Sequence, residues 1–151
     1  MIVYRITKEE FSGQLASSGR PNRWNRQAQH VIYTSSSISL CALELLAHTG
    51  GIRPAGNFSI LHIQIDAADS LFEISAENLP AHWQGIHSYS FTQEIGSAWF
   101  DSRETLMMKI PSAIITQEHN YILNVEHPKF NSGVKIINVS DFIWDHRFPE
   151  N

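Results

Sequence analysis

The sequence is poor in cysteine and in positive charge, and each shortage excludes a class of protein. Cys41 is the only cysteine among 151 residues, so the chain forms no internal disulfide. Its apolar neighbours predict that Cys41 is a small buried residue. Lysine and arginine number 11 against 15 acidic residues, which gives a formal net charge of −4. Because proteins that bind nucleic acid usually carry a basic face, we expect no direct binding to DNA or RNA.

Long apolar runs are also missing. The most apolar segments, residues 38–47 and 110–115, fall well short of the roughly 20 residues that cross a bilayer. The amino-terminal residues 1–5 lack the charged, apolar and small-residue regions of a secretory signal. These absences predict a soluble cytoplasmic protein that does not contact a membrane.

The common metal and cofactor motifs are absent as well. The eight histidines form no His-Glu-x-x-His pattern and no cysteine pair supplies thiolates, so we expect no metal. Gly50, Gly51 and Gly56 are not spaced as in a P-loop or a dinucleotide fingerprint. Ser112 follows Pro111 without the flanking glycines of a nucleophile elbow. The sequence therefore predicts no bound cofactor and no hydrolysis by an activated serine.

The apolar pattern predicts one compact α+β domain over residues 1–151, with a mixed or antiparallel β core flanked by short helices. Apolar residues make up 42% and charged residues 17% of the chain, a balance typical of a folded globule. The clearest helix follows Ser35-Ser36-Ser37 and covers residues 38–48, a second covers Thr92–Phe100, and a short helical turn follows Thr7. Seven runs have the length and β-branched content of strands: Ile2–Ile6, Val31–Thr34, Phe58–Ile65, Leu106–Ile110, Ala113–Ile115, Tyr121–Val125 and Val134–Val139.

Four positions have side chains that could carry chemistry. Arg23 stands beside Trp24 in a loop, where a guanidinium can pair with phosphate. From these residues alone, the more ordinary interpretation is that Trp24 anchors the core and Arg23 is a solvated charge. Tyr33 ends an apolar run. Glu44 lies among leucines in the predicted helix, so it lies either at the boundary of the helix face, which periodicity alone favours, or in a polar cleft. The Ser112 hydroxyl follows a strand-breaking proline and could point into a pocket.

Taken in order, short motifs along the chain resemble those of the RES domain, which is named for its arginine, glutamate and serine. Arg23, Glu44 and Ser112 fall on these three residues, and Tyr33 falls on the tyrosine that accompanies them. Many relatives have a glycine directly before Arg-Trp, where this chain has Pro21-Asn22. The motifs are Tyr4-Arg5-Ile6, Gly19-Arg20-Pro21-Asn22-Arg23-Trp24-Asn25, Val31-Ile32-Tyr33-Thr34-Ser35, Ala42-Leu43-Glu44, Gly96-Ser97-Ala98-Trp99, Ile110-Pro111-Ser112-Ala113, Asn120-Tyr121-Ile122-Leu123-Asn124, His127-Pro128-Lys129-Phe130 and Asp145-His146-Arg147-Phe148.

The resemblance implies a domain similar to ADP-ribosyltransferase toxins, NAD⁺ as the substrate, and neutralisation by a cognate helix-turn-helix antitoxin. Cleavage of the nicotinamide–ribose bond passes through an oxocarbenium-like state, as in glycoside cleavage. On this basis Glu44 stabilises the developing cation, Arg23 holds phosphate, Tyr33 packs on nicotinamide or ribose, and Ser112 orients the substrate. Further substrate-binding candidates are Arg5, Trp24 and Asn124.

Several alternatives stay open at this point. The acceptor of the ADP-ribosyl group is water, inorganic phosphate or a macromolecule, and the last of these would make the chain an ADP-ribosyltransferase. An interaction module without catalysis is a hypothesis from a different class, and a homodimer is left open. A cleft that gathers Arg23, Tyr33, Glu44 and Ser112 would favour the enzyme, whereas scattered positions would favour the module.

Overall fold

A computed structural model describes residues 1–66 and 70–150 of the chain. Its centre is a single sheet of seven strands, and three α-helices are recorded with it. The strands are β1 (Ile2–Lys8), β2 (Val31–Ser35), β3 (Phe58–Ile65), β4 (Leu71–Glu73), β5 (Met107–Pro111), β6 (His119–Asn124) and β7 (Val134–Phe142). The helices are α1 (Ile38–His48), α2 (Tyr89–Ser102) and the short α3 (Phe130–Gly133).

The strand order is β4-β5-β6-β2-β1-β3-β7. Every neighbouring pair is antiparallel except β4 and β5, which run parallel. The sheet is therefore mixed but mainly antiparallel, which confirms the predicted α+β class. β2 lies at the centre of this order, between β6 and β1, and it carries Tyr33.

Side chains of the sheet alternate between two apolar cores, as the two-residue period of a strand requires. One core contains Ile32 of β2 and Leu123 of β6, and the other contains their neighbours Val31 and Ile122. The second core also receives Trp99 and Phe100 from α2 and Trp24 from the loop before β2. Helix α2 and the arginine loop (residues 19–29) thus share one core, and this fixes where the loop lies against the sheet.

The predicted helix over residues 38–48 is confirmed with the same bounds. The Ser37 hydroxyl accepts a hydrogen bond from the Leu40 N–H and caps its first turn. Cys41 is buried, as expected, and its thiol contacts the Tyr4 carbonyl of β1 at 2.9 Å. This contact helps hold α1 against the sheet.

One predicted strand is absent from the structure, and one strand of the structure was not predicted. Residues 113–115 form no strand, because the Ser112 hydroxyl accepts hydrogen bonds from the backbone N–H groups of Ile114 and Ile115 and bends the chain there. Strand β4 was not predicted, since its three residues are too few to show a period. Within the described ranges no helix is both long and apolar enough to span a bilayer.

Candidate active site

An open cleft of about 640 Å³ lies between the arginine loop, α1 and the ends of β2 and β5. Its size falls in the range of about 300–1,000 Å³ that is typical of small-molecule sites. Three of the four principal candidates, Arg23, Tyr33 and Glu44, line it. The fourth, Ser112, lies directly behind Glu44.

Glu44 reaches this cleft because of the helical period of α1. Leu40 and Cys41 are the buried residues of the helix, and positions three and four further along fall on the same face. Glu44 is therefore on the face that packs against the sheet, one turn beyond the part that is covered. Of the two interpretations that the sequence left open, the polar cleft is the one that the structure supports.

Two hydrogen bonds hold the Glu44 carboxylate, and both use the same oxygen. The Ser112 hydroxyl donates to Oε1 at 2.8 Å, and the Asn120 side-chain amide also donates to Oε1. Asn120 is fixed in turn, because its Oδ1 accepts a hydrogen bond of 2.6 Å from the buried Ser35 hydroxyl. Within residues 1–66 and 70–150 no donor is recorded for Oε2, so this oxygen is available to a ligand.

Ser112 is completely buried and does not line the cleft, which corrects the expectation that its hydroxyl faces the substrate. Its proton goes to Glu44, and its oxygen accepts the N–H groups of Ile114 and Ile115 at 3.0 and 3.1 Å. The hydroxyl is therefore committed to protein partners. It can act on a substrate only by orienting Glu44.

The arginine loop turns tightly at Arg23 and Trp24. The backbones of Asn22 and Asn25 exchange two hydrogen bonds across the turn, and the Asn22 side chain accepts the Arg23 N–H at 2.8 Å. Asn22 does not have a positive φ. The turn at this position therefore does not require the glycine that many relatives have there, and the asparagine side chain stabilises it instead.

One face of α2 binds the back of this loop. Thr92 donates to the Arg23 carbonyl at 2.7 Å, and Gln93 donates to the carbonyls of Asn22 and Asn25. Gly96, one turn further along the helix, lies so close to the backbone of Trp24 that a Cβ would stand 1.8 Å from the Trp24 carbonyl oxygen. The close approach depends on glycine at this position.

The Arg23 guanidinium is held by the segment that precedes α2. It donates to the carbonyls of Trp83 and Gln84 at 2.9 and 2.6 Å, and its Cζ lies 4.6 Å from the centre of the Tyr89 ring. A guanidinium over an aromatic face gains cation–π attraction. Arg23 thus joins the arginine loop to residues 83–89 at the wall of the cleft.

The Tyr33 hydroxyl is also fully engaged. It donates to Asn25 Oδ1 at 2.9 Å and accepts the Trp24 N–H at 3.1 Å. Burial raises the pKa of this phenol well above its ordinary value. Tyr33 therefore offers its ring to the cleft, while its hydroxyl ties β2 to the arginine loop.

Replacing Tyr33 with phenylalanine should lower the free energy of unfolding by about 1–3 kcal/mol, since Asn25 Oδ1 and the Trp24 N–H would lose a buried partner. Chemical unfolding measures the difference. Tyr121→Phe is the matched control, because no hydrogen bond is recorded for the Tyr121 hydroxyl within the described ranges, and it should change stability by less than about 0.5 kcal/mol. If the two variants were equally stable, the hydrogen bonds of the Tyr33 hydroxyl to Trp24 and Asn25 would not stabilise the fold.

The three further candidates have different surroundings. Arg5, on β1, lines the cleft, and burial lowers the pKa of its guanidinium below the ordinary value. Trp24 borders the cleft but is only 2% exposed, and it packs in the second core. Asn124 does not line the cleft, which corrects the expectation for this residue. Its amide donates to the Phe100 carbonyl at 2.9 Å and its Oδ1 accepts the Glu126 N–H, so it joins β6 to α2.

Two asparagines of the site were missed from the sequence. Asn120 orients Glu44, and Asn25, 1% exposed, donates to the carbonyls of Arg20 and Arg26 while it accepts from Tyr33. Asparagine is seldom buried without partners, and Asn120 directly precedes the predicted strand Tyr121–Val125, so its place beside that strand was a usable signal. In the described part of the chain no three His, Cys, Asp or Glu side chains are grouped so that they could hold a metal ion.

Comparison with known proteins confirms the resemblance on which the candidates were chosen. The family model described as the RES domain matches residues 2–145. The chain is 31% identical to Toxin Res of Photorhabdus laumondii over 97% of this chain and 96% of that protein. It is 30% identical to the Prs ADP-ribosylating toxin of Sphingobium sp. over 83% of this chain and 78% of that protein.

A solved structure has the same fold. The chain matches a chain of the M. tuberculosis MbcT–MbcA toxin–antitoxin complex with a TM-score of 0.75. The match covers 93% of this chain and 83% of that one, at 15% identity. Because the identity is this low, the likeness shows a shared fold alone.

Proposed function

This chain belongs to the RES-domain family, and we propose that it is the toxin of a toxin–antitoxin pair and cleaves the bond between nicotinamide and ribose in NAD⁺. The observation that carries the proposal is the environment of Glu44. One oxygen of its carboxylate is held by Ser112 and Asn120, and the other is available in a cleft that Tyr33 and Arg23 also line. This is the geometry of a preorganised anion.

The chemistry needs a fixed negative charge beside the ribose. As the nicotinamide leaves, positive charge builds on the ribose carbon and its ring oxygen, as it does in glycoside cleavage. Glu44 stabilises that charge without moving, because Ser112 and Asn120 already orient it. The Tyr33 ring packs on the nicotinamide or the ribose, and Ser112 orients the carboxylate.

The acceptor separates two forms of this activity. Transfer to water or inorganic phosphate would deplete NAD⁺, whereas transfer to a protein side chain would modify a macromolecular target. The second form is favoured by one relative, the Prs ADP-ribosylating toxin. Three candidate side chains line one cleft, and this favours either form of the enzyme over an interaction module.

The test is to incubate the purified chain with NAD⁺, with and without phosphate and with and without cell lysate, and to identify the products by mass spectrometry. We expect release of nicotinamide in each reaction that contains the acceptor which the chain uses. ADP-ribose, its phosphorylated form, or a protein heavier by one ADP-ribosyl group would identify the acceptor. Intact NAD⁺ under all four conditions would rule out the proposed cleavage.

The biological setting follows from the same proposal. Expression of the chain alone lowers the NAD⁺ content of the cytoplasm and arrests growth, and a helix-turn-helix antitoxin relieves the arrest. Because the net charge of the chain is −4, contacts to operator DNA come from the antitoxin. Arrest with normal NAD⁺ would point to a modified macromolecule instead.

A further inference from the structure

The positive charges of the chain are unevenly paired. Six of its 11 lysines and arginines form an ion pair with a carboxylate within 4.0 Å: Lys8, Arg53, Arg103, Lys109, Lys135 and Arg147. In the described part of the chain no such pair is recorded for the other five, which are Arg5, Arg20, Arg23, Arg26 and Lys129. Four of these five are arginines of β1 and of the arginine loop.

Three of these arginines, Arg5, Arg20 and Arg23, line the cleft, whereas Glu44 is its only carboxylate within the described ranges. A chain with an excess of acidic residues thus keeps an excess of positive charge at one cavity. A concave site focuses such a field and attracts anions. The anion that the proposed substrate offers is the diphosphate between its two riboses.

Arg23 is the least available of the three. Its hydrogen bonds go to backbone carbonyls of residues 83–85, and its Cζ lies over the Tyr89 ring, 4.6 Å from the ring centre. For the side chains of Arg5 and Arg20 no hydrogen bond is recorded within residues 1–66 and 70–150. Their guanidinium groups therefore keep their donors for a ligand, and a guanidinium matches phosphate oxygens with two parallel N–H groups.

Arg20 has a fixed backbone and a free side chain. Its carbonyl accepts the buried Asn25 amide at 2.9 Å, and its N–H donates to the Ser18 hydroxyl at 3.3 Å. Pro21 further restricts the backbone of Arg20 to extended conformations. Asn25 accepts a hydrogen bond in turn from Tyr33 of β2. The backbone of Arg20 is therefore anchored to the sheet, while its guanidinium is exposed.

We propose that Arg20, at the rim of the cleft, and Arg5, on β1, form the subsite for the diphosphate of the dinucleotide. The proposal rests on the proposed function, which places the nicotinamide ribose at Glu44. It transfers the phosphate contact expected of Arg23 to two arginines whose donors are available. Arg23 then acts as a positioning residue that joins the loop to residues 83–89.

The experiment compares the wild-type full chain with Arg20→Gln and with Arg26→Gln. Both substitutions remove one positive charge from an exposed position of the same loop, but only the Arg20 side chain lines the cleft. ADP is the probe, and its dissociation constant is measured by titration calorimetry. We expect the constant to rise about tenfold or more in Arg20→Gln, the size of a lost charge-assisted contact, and to stay within about twofold in Arg26→Gln. The KM for NAD⁺ should rise with it.

The outcomes separate the subsite from the reaction. An equal effect of the two substitutions, or no affinity of the wild-type chain for ADP, would overturn the subsite. Normal ADP affinity and a normal KM in Arg20→Gln, with nicotinamide still released, would overturn the subsite and leave the proposed function intact. Binding of ADP that depends on Arg20, in a wild-type chain that releases no nicotinamide, would support the subsite and contradict the proposed function.

Discussion

Glu44→Gln is expected to slow the release of nicotinamide about 10²–10³-fold while the chain stays folded. The loss is of the size that follows removal of one preorganised electrostatic contact from an active site. Glutamine has nearly the same volume and helix propensity as glutamate, so α1 should form as before. The measurement is the rate of nicotinamide release by the purified variant, with thermal unfolding as the check on folding.

The surroundings of Glu44 explain why the substitution acts on the reaction and not on the fold. A glutamine carbonyl oxygen can accept the same two hydrogen bonds, from Ser112 and Asn120, that the structure gives to Oε1. The side-chain amide would then replace Oε2. A hydrogen-bond donor without charge would face the ribose where the wild-type chain presents an anion, and the developing cation would lose its stabilisation.

Glu94→Gln is the matched control for this experiment. Glu94 is an exposed glutamate of α2 that does not line the cleft. Its substitution should change stability by at most about 0.5 kcal/mol and leave the rate of nicotinamide release unchanged. Near-normal turnover in a folded Glu44→Gln variant would mean that another group stabilises the cation.

Strands and helices were largely predictable because their apolar periods are local. Strand β3 (Phe58–Ile65) and helix α1 (residues 38–48) have the predicted bounds. The apolar pattern of the strand and the serine cap before the helix both lie in consecutive residues, so the sequence shows them directly. Residues 113–115 have the β-branched composition of a strand, yet a single hydroxyl bends them. β4 forms through its parallel partner β5, and no pattern within three residues could predict that pairing.

The site was predictable only in part, and the resemblance supplied most of it. Periodicity left two positions for Glu44, and its partners could not be inferred because Ser112 and Asn120 are 68 and 76 residues away. Arg23 carries the positive charge that binding of a phosphate group requires. However, the backbone carbonyls that accept its hydrogen bonds lie 60 to 62 residues further along the chain, where the sequence gives no sign of them. A motif identifies which side chains matter, whereas the tertiary fold decides which of their donors are left for a substrate.

Gly96→Ala is the substitution with the largest expected effect on the fold of the site. At an exposed position inside a helix, alanine is more favourable than glycine by about 1 kcal/mol. At Gly96 the added Cβ would stand 1.8 Å from the carbonyl oxygen and 2.7 Å from the carbonyl carbon of Trp24. These are backbone atoms, so no side chain can rotate away, and the loop or the helix must move.

We therefore expect Gly96→Ala to destabilise the chain by about 1–3 kcal/mol, opposite in sign to the propensity effect. The rate of nicotinamide release should fall even where the variant is still folded, because Arg23 and Trp24 lie in the displaced loop. A shift of about 1 Å in a site can cost about 10²-fold in rate. Gly13→Ala is the control, since a Cβ there meets nothing within 4 Å. Thermal unfolding and nicotinamide release are measured on both variants. Stabilisation by Gly96→Ala would contradict the close contact between α2 and the arginine loop, because only the loss of that contact would let the helix propensity of alanine decide the sign.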